Sequence, residues 1–165
     1  MYGQINKSRR QEIRHGISKG VYSERSEDFG MFGQFYHQTF ARQGKAPEIQ
    51  IDDLTYLLNR LHELGRLRMF VSRTKEGEPG SIAVFGLDKN GATYLYGAND
   101  PQYRDSHTGA LVLWESFREL AREDCRMVNL EGVNSPARGY FKLSFGGSLT
   151  PYFEVSLSAK RAALS

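Results

Sequence analysis

The 165 residues are 39% hydrophobic and 25% charged, enough apolar material to bury one core of single-domain size and too much to leave the chain unfolded. No apolar run reaches the ~20 positions needed to cross a bilayer, and the charge surplus, 22 − 19 = 3 positive, permits an anionic partner without requiring nucleic acid, so no DNA partner is expected. Cys125 is the single cysteine, which rules out an internal disulfide and a cysteine-built metal site. Residues 1–10 are polar and basic, without the apolar stretch of a secretory signal, and both features point to a reducing cytoplasm.

Residues 8–19 have helical spacing but are strongly basic, with Arg9, Arg10, Arg14, His15 and Lys19 set against one apolar pair, Ile13 and Ile17. This predicts a thinly apolar surface helix, closed by Gly20 and followed by a short strand over residues 21–24. Ser26 and Asp28 offer N-caps for a second helix, whose Phe29, Phe32, Phe35, Tyr36, Thr39 and Phe40 recur at three and four and make an aromatic core face. Gly44 and Pro47 break the pattern. A third helix, capped by Asp52 or Asp53, carries the clearest amphipathic stripe in the chain: Leu54, Leu57, Leu58, Leu61 and Leu64.

Past Gly65 the period becomes two, predicting strands over residues 67–71, 81–87 and 92–99 joined by turns at residues 76–80 and 88–91. A polar loop over residues 99–107 leads to a helix over residues 108–123. A strand over residues 127–130, a loop to Pro136, a short helix over residues 137–145 stopped by Gly146 and Gly147, and a last alternating strand over residues 151–157 complete the order. Helices segregated from a mostly antiparallel sheet make an α+β domain over residues 1–158, with a tail at residues 159–165. The strand, helix, strand order from residue 92 to residue 130 implies one parallel pair, whose splaying beside the crossover helix opens a cleft.

Local residues along this order resemble the FemAB-like branch of the Gcn5-related N-acetyltransferase (GNAT) fold, the peptidyl-bridge aminoacyltransferases and their relatives. Carrying the resemblance are Arg9-Arg10-Gln11-Glu12-Ile13-Arg14 running to Lys19-Gly20-Val21; Phe35-Tyr36 with Thr39, Arg42 and Gly44; Tyr94-Leu95-Tyr96-Gly97-Ala98; and Gly109-Ala110-Leu111 with Trp114-Glu115. The most specific stretch is Asn129-Leu130-Glu131-Gly132, then Phe141-Lys142, Phe145-Gly146-Gly147 and Pro151-Tyr152-Phe153. The resemblance implies a GNAT-like domain that moves an acyl or aminoacyl group to an amine, with acyl-CoA or aminoacyl-tRNA as co-substrate and a cell-envelope precursor among the acceptors. FemAB-type enzymes carry two copies of the fold and this chain has room for one. A second GNAT-like unit or a homodimer partner is therefore expected, or else a binding module or an excised half that does not turn over.

In such a fold the reacting carbonyl would lie where the parallel strands part, making the backbone N–H groups of Gly97 and Ala98 the expected oxyanion donors. The start of the helix at residue 108 offers open N–H groups and a positive dipole end to a phosphate, with Ser106, His107, Thr108, Gly109 and Ala110 as the donor-binding set. Ser106 or Thr108 is alternatively a plain N-cap, and His107 a catalytic base. Tyr94 and Tyr96, on one face of the central strand, are expected to line an acyl tunnel or to pack in the core. By resemblance Asn134, Ala137 and Phe141 occupy the positions where an ordinary acetyltransferase has asparagine, alanine and a proton-donating tyrosine. Phe141 cannot donate a proton, and Tyr140 would point about 100° away on a helix. That departure, with only one glycine between residues 105 and 110, tilts the expectation toward the FemAB-like donor. There the resemblance gives Lys142 the task of stabilising negative charge, and Glu131, at the end of its strand, that of accepting the amine's proton. The four histidines, His15, His37, His62 and His107, show no metal-ligand spacing.

Overall fold

A computed structural model describes residues 2–89, 91–133, 135–153 and 155–156. Its elements, in chain order, are α1 (Lys7–Ser18), β1 (Tyr22–Arg25), α2 (Phe29–Ala41), α3 (Ile51–Glu63), β2 (Leu67–Arg73), β3 (Pro79–Leu87), β4 (Ala92–Asn99), α4 (Thr108–Arg122), β5 (Val128–Asn129) and α5 (Pro136–Leu143), with 3-10 turns at Tyr2–Gln4 and Pro101–Ser106. The five strands form one sheet in sequence order, antiparallel from β1 to β4, with β4 and β5 parallel. This is the expected α+β domain, a mixed sheet flanked by helices.

Two cores sandwich the sheet. On one face Phe29, Phe32 and Tyr36 of α2 and Leu54 and Leu58 of α3 pack against Leu67, Met69, Val71, Ile82 and Val84. On the other, Ile13 of α1 and Leu111, Val112, Phe117 and Leu120 of α4 pack against Phe70, Ala83 and Phe85. Covering both faces explains why β3 reads as a continuous apolar run instead of an alternating one: Ile82 to Phe85 are all buried.

A bulge between Val84 and Phe85 on β3 and their partners on β4 changes the register there: Phe85 opposes Tyr94, Val84 opposes Tyr96, and Leu95 is left over. One extra residue restarts the two-residue alternation, so Tyr94 and Tyr96 fall on opposite faces. Tyr94 packs with Phe85, 5.4 Å between ring centroids, in the α4-side core, and Tyr96 meets Phe32 and Tyr36 in the other. The single face expected of them is corrected by that bulge.

Other boundaries shift for local reasons. The third helix begins at Ile51 with Gln50 as its N-cap, and Asp52 and Asp53 are not caps but sit in the first turn, where their charge suits the helix dipole. The predicted loop before α4 is wound into the 3-10 turn whose cap is Asp100, its carboxylate accepting from Gln102 N–H. Residues 151–153 and 155–156 belong to no strand, and Tyr152, Phe153 and Val155 are exposed, so the alternation there does not bring them into the sheet. The tail at residues 159–165 lies outside the described residues. No described helix is long and apolar enough to cross a membrane.

Candidate functional site

β4 and β5 pair at only two positions, Ala92 with Val128 and Thr93 with Asn129. β4 continues for six more residues to Asn99, so its outer edge stands free of β5 from Tyr94 onward. Asp100 N–H donates to Gly80 O at 2.8 Å, and this bond fixes the direction of the groups before it. In an antiparallel ladder successive N–H groups point to opposite edges, so Ala98 N–H turns toward Ile82, its partner on β3, while Gly97 and Asn99 turn outward. The expected oxyanion pair is thereby divided: Gly97 presents its N–H to the gap, and Ala98 spends its own on the sheet.

Gly97 is also the residue the packing demands. A Cβ built there would fall inside the Tyr94 hydroxyl, since Tyr94 lies across the position that a side chain would fill. Burial pushes the Tyr94 phenol up to about 12, so it stays protonated over the physiological range. Tyr94 thus supports the backbone of β4 from behind.

The gap opens into a cleft of about 710 Å³ lined by Gly97, Ala98, His107, Thr108, Gly109, Ala110 and Phe141 among the expected residues. Its helical end is fixed by a buried hydroxyl cluster: Thr108 Oγ1 lies 2.8 Å from Ser81 Oγ, and Ser72 Oγ donates to Thr108 O at 2.9 Å. Gly80 permits this approach, because a Cβ there would meet Thr108 Cγ2 at 2.6 Å. The N-cap of α4 is His107, in the left-handed region at φ 57°, ψ 29°, with no side-chain capping bond, so neither Ser106 nor Thr108 caps the helix. The His107 carbonyl accepts from Ala110 and Leu111 N–H, leaving the first two N–H groups of the helix at its positive end. Ser106 is half-buried outside the lining.

Several lining residues carry no role in the sequence reading. Arg9 is 6% exposed, in a helix expected to be solvated. Its Nε donates to Ser144 Oγ at 2.8 Å, its guanidinium carbon sits 4.3 Å from the Phe141 ring centroid, and Nη1 pairs with Glu12. Burial lowers its pKa, against the pull of Glu12 and Tyr140. The signal was present: Arg9, Ile13 and Gly16 follow i, i+4, i+7, and all three are buried, whereas Ile17 is exposed. Arg42 closes another wall, donating to Thr39 Oγ1 at 3.1 Å and to Asn99 O at 2.8 Å, and Arg104 joins it from the 3-10 turn.

Lys142 and Glu131 do not line the cleft. Lys142 Nζ donates to Gly132 O at 2.9 Å, and burial lowers its pKa while Glu131 raises it and Arg138 lowers it further. Glu131 is exposed at φ 62°, its N–H held by Asn129 Oδ1. Tyr140 is exposed and its hydroxyl lies 3.2 Å from Ser8 Oγ, away from the cleft, as the helical spacing predicts. Asn134 and the side chain of Ala137 lie outside the described residues. Among the described residues no cluster of histidine, cysteine or carboxylate has the makings of a metal site.

No curated protein matches the sequence. Among solved structures, FemX superposes with a TM-score of 0.71 at 14% identity, covering 87% of this chain and 54% of that one, so the chain spans about half the length of FemX. A predicted acetyltransferase from Clostridium acetobutylicum, solved with acetyl-CoA, superposes at 0.62 with 12% identity over 82% of this chain and 96% of that one. A GCN5-related N-acetyltransferase from Ralstonia eutropha superposes at 0.61 with 16% identity, over 85% and 99%. These likenesses establish a shared fold, and the model of the acetyltransferase (GNAT) domain matches residues 3–153; the chain belongs to that family.

Proposed function

We propose that the chain transfers an acyl group from a thioester donor of the acyl-CoA class to an amine, with the reacting carbonyl held at Gly97 N–H and the donor's phosphates toward the start of α4. The observation that carries this reading is the free edge of β4: it turns one N–H into a cleft that ends at the first turn of a helix. A preorganised backbone donor stabilises the oxyanion of the tetrahedral adduct without reorganisation. Open N–H groups at Thr108 and Gly109, with Arg42 and Arg104 in the same lining, suit an anionic donor tail.

The lack of a proton donor at Phe141, which by resemblance tilted the expectation toward the FemAB-like donor, favours the thioester once the two leaving groups are compared. Phe141 lines the cleft without a proton to give, and a thiolate, whose conjugate acid has a pKa of about 8.5, leaves without help that a ribose alkoxide would need. The second reading is an aminoacyl ester on an RNA end with a cell-envelope amine as acceptor, and the Phe141–Lys142 pair, which resembles the FemAB-like pattern, favours it. In that reading Lys142 and Glu131 act from outside the described cleft.

Calorimetric titration with acetyl-CoA, desulfo-CoA and a short aminoacyl-RNA mimic separates the two. The thioester reading predicts binding of both CoA compounds in the micromolar range, about −8 kcal/mol, weakened in Arg104→Ala and unchanged in Lys142→Ala. Salt-sensitive binding of the RNA mimic alone, lost in Lys142→Ala, would replace it with the second reading.

A further inference from the structure

We propose that the Tyr94 hydroxyl is a second hydrogen-bond donor to the donor's thioester carbonyl, set beside Gly97 N–H, so that the oxyanion is met by two donors. The inference rests on the cleft being the donor site.

Tyr94 and Gly97 are three residues apart, and in a regular strand such residues face opposite sides of the sheet. The bulge that leaves Leu95 without a partner adds one residue to β4, so Tyr94 opposes Phe85, Gly97 opposes Ala83, and both face the α4-side core. Bulges re-aim side chains beside active sites, and this one lays the phenol back along its own strand. The hydroxyl oxygen ends 1.7 Å from the point a Cβ would take on Gly97. N and Cβ of one residue are about 2.4 Å apart, so the oxygen lies within about 4.1 Å of Gly97 N. A carbonyl oxygen seated on Gly97 N–H at about 2.9 Å has the phenol oxygen as its neighbour.

The hydroxyl has no other claim on it. Among the described residues it has no hydrogen-bond partner, and its ring packs with Phe85 in an apolar cluster that also takes in Val128, Leu130 and Phe141. No side-chain nitrogen or oxygen fully shut off from solvent lacks a partner among the described residues, so the unpaired hydroxyl meets open space. Tyr94 does not line the cleft itself; its hydroxyl reaches the edge from behind Gly97, which is exposed and has no side chain to screen it.

In such apolar surroundings a hydrogen bond to a charged oxygen is stronger than in water, and one oxyanion donor is worth about 10²–10³-fold in kcat. Tyr94 acts as a donor and not as the acid that Phe141 lacks. Burial pushes the phenol up to about 12, above the ~8.5 of a thiol, so its proton does not pass to the departing thiolate. No bond is made or broken at Tyr94.

The test is isotope-edited infrared spectroscopy of acetyl-CoA with a labelled carbonyl carbon, bound to the full chain, with affinity measured by calorimetry. A carbonyl stretch falls as its oxygen accepts hydrogen bonds. Tyr94→Phe keeps the ring and removes the donor, so it should bind acetyl-CoA as the parent does and move the band to higher wavenumber. Tyr94→fluorotyrosine, with the fluorine ortho to the hydroxyl, strengthens the donor and should move the band lower. A purely structural role for Tyr94 would leave the band of bound acetyl-CoA in place. The inference is overturned if either variant binds acetyl-CoA with the band at the parent's position, or if folded Tyr94→Phe no longer binds it; should Tyr94→Phe fail to fold, the fluorotyrosine band decides alone. Failure of the parent to bind acetyl-CoA overturns the reading of the cleft itself and removes this inference with it.

Discussion

Gly97 leaves room for the Tyr94 hydroxyl, which only a residue without a side chain can do, and its N–H lies on the open edge of β4. Replacing it by alanine forces the Tyr94 ring out of the α4-side core, an overpacking that costs about 1–3 kcal/mol. Tyr94→Phe removes the nearest atom but leaves the ring carbon that bore it 2.8 Å from the added methyl, so the double variant should recover part of the loss and not all. Urea unfolding of the two single variants and the double variant measures this coupling; additive losses would show that Tyr94 does not fill the space. At this scale the sequence was only half legible. Gly97 could be picked out as a glycine in a strand, but which of Gly97 and Ala98 faces outward depends on a bond between Asp100 and Gly80, and the side of the sheet taken by Tyr94 depends on a bulge. Neither has a local signature. Arg9 was hidden for a different reason, because a basic residue on an apolar stripe reads as solvated until Ser144, 135 positions away, is placed against it.

The start of α4 is set by tertiary contacts rather than by its own cap. Its N-cap residue makes no side-chain bond, and the work falls to Ser72, Ser81 and Thr108, all buried. Thr108→Val preserves shape and removes the hydroxyl that pairs with Ser81, leaving a buried polar group unpaired at about 1–3 kcal/mol. The expected outcome is a lower thermal midpoint together with weaker acetyl-CoA binding, since the first turn that meets the donor loses its tether. A lower midpoint with unchanged donor affinity would mean that α4 is anchored elsewhere. Element types were legible along the chain wherever the apolar period was long, as in α3 and β4. They failed at residues 151–153 and 155–156, where alternation of side chains is present but the described residues find no neighbouring strand to pair with. A period of two specifies a surface that can join a sheet, and the sheet edge decides whether it does.

At the scale of the molecule, two helical layers clamp β2 and β3 while β4 and β5 stay together for only two residue pairs. The closed part supplies rigidity and the open part supplies the cleft, so the donor site is a consequence of where pairing stops. The order of elements and the parallel crossover were readable from the sequence because they follow from periodicity and connection rules. The cleft's composition was not, because Arg9, Glu12, Arg42 and Arg104 come from three separate elements that meet only in the folded chain. The central claim is that an acyl donor lies along the free edge of β4 with its anionic end at α4. Backbone amide spectra of the isotopically labelled chain titrated with acetyl-CoA test it most directly. The account predicts that the Gly97, Thr108 and Gly109 amides shift together and saturably while Ala98, bonded into the sheet, shifts less. Saturable shifts confined to residues outside this cleft, with the Gly97 and Thr108 amides unmoved, would contradict it.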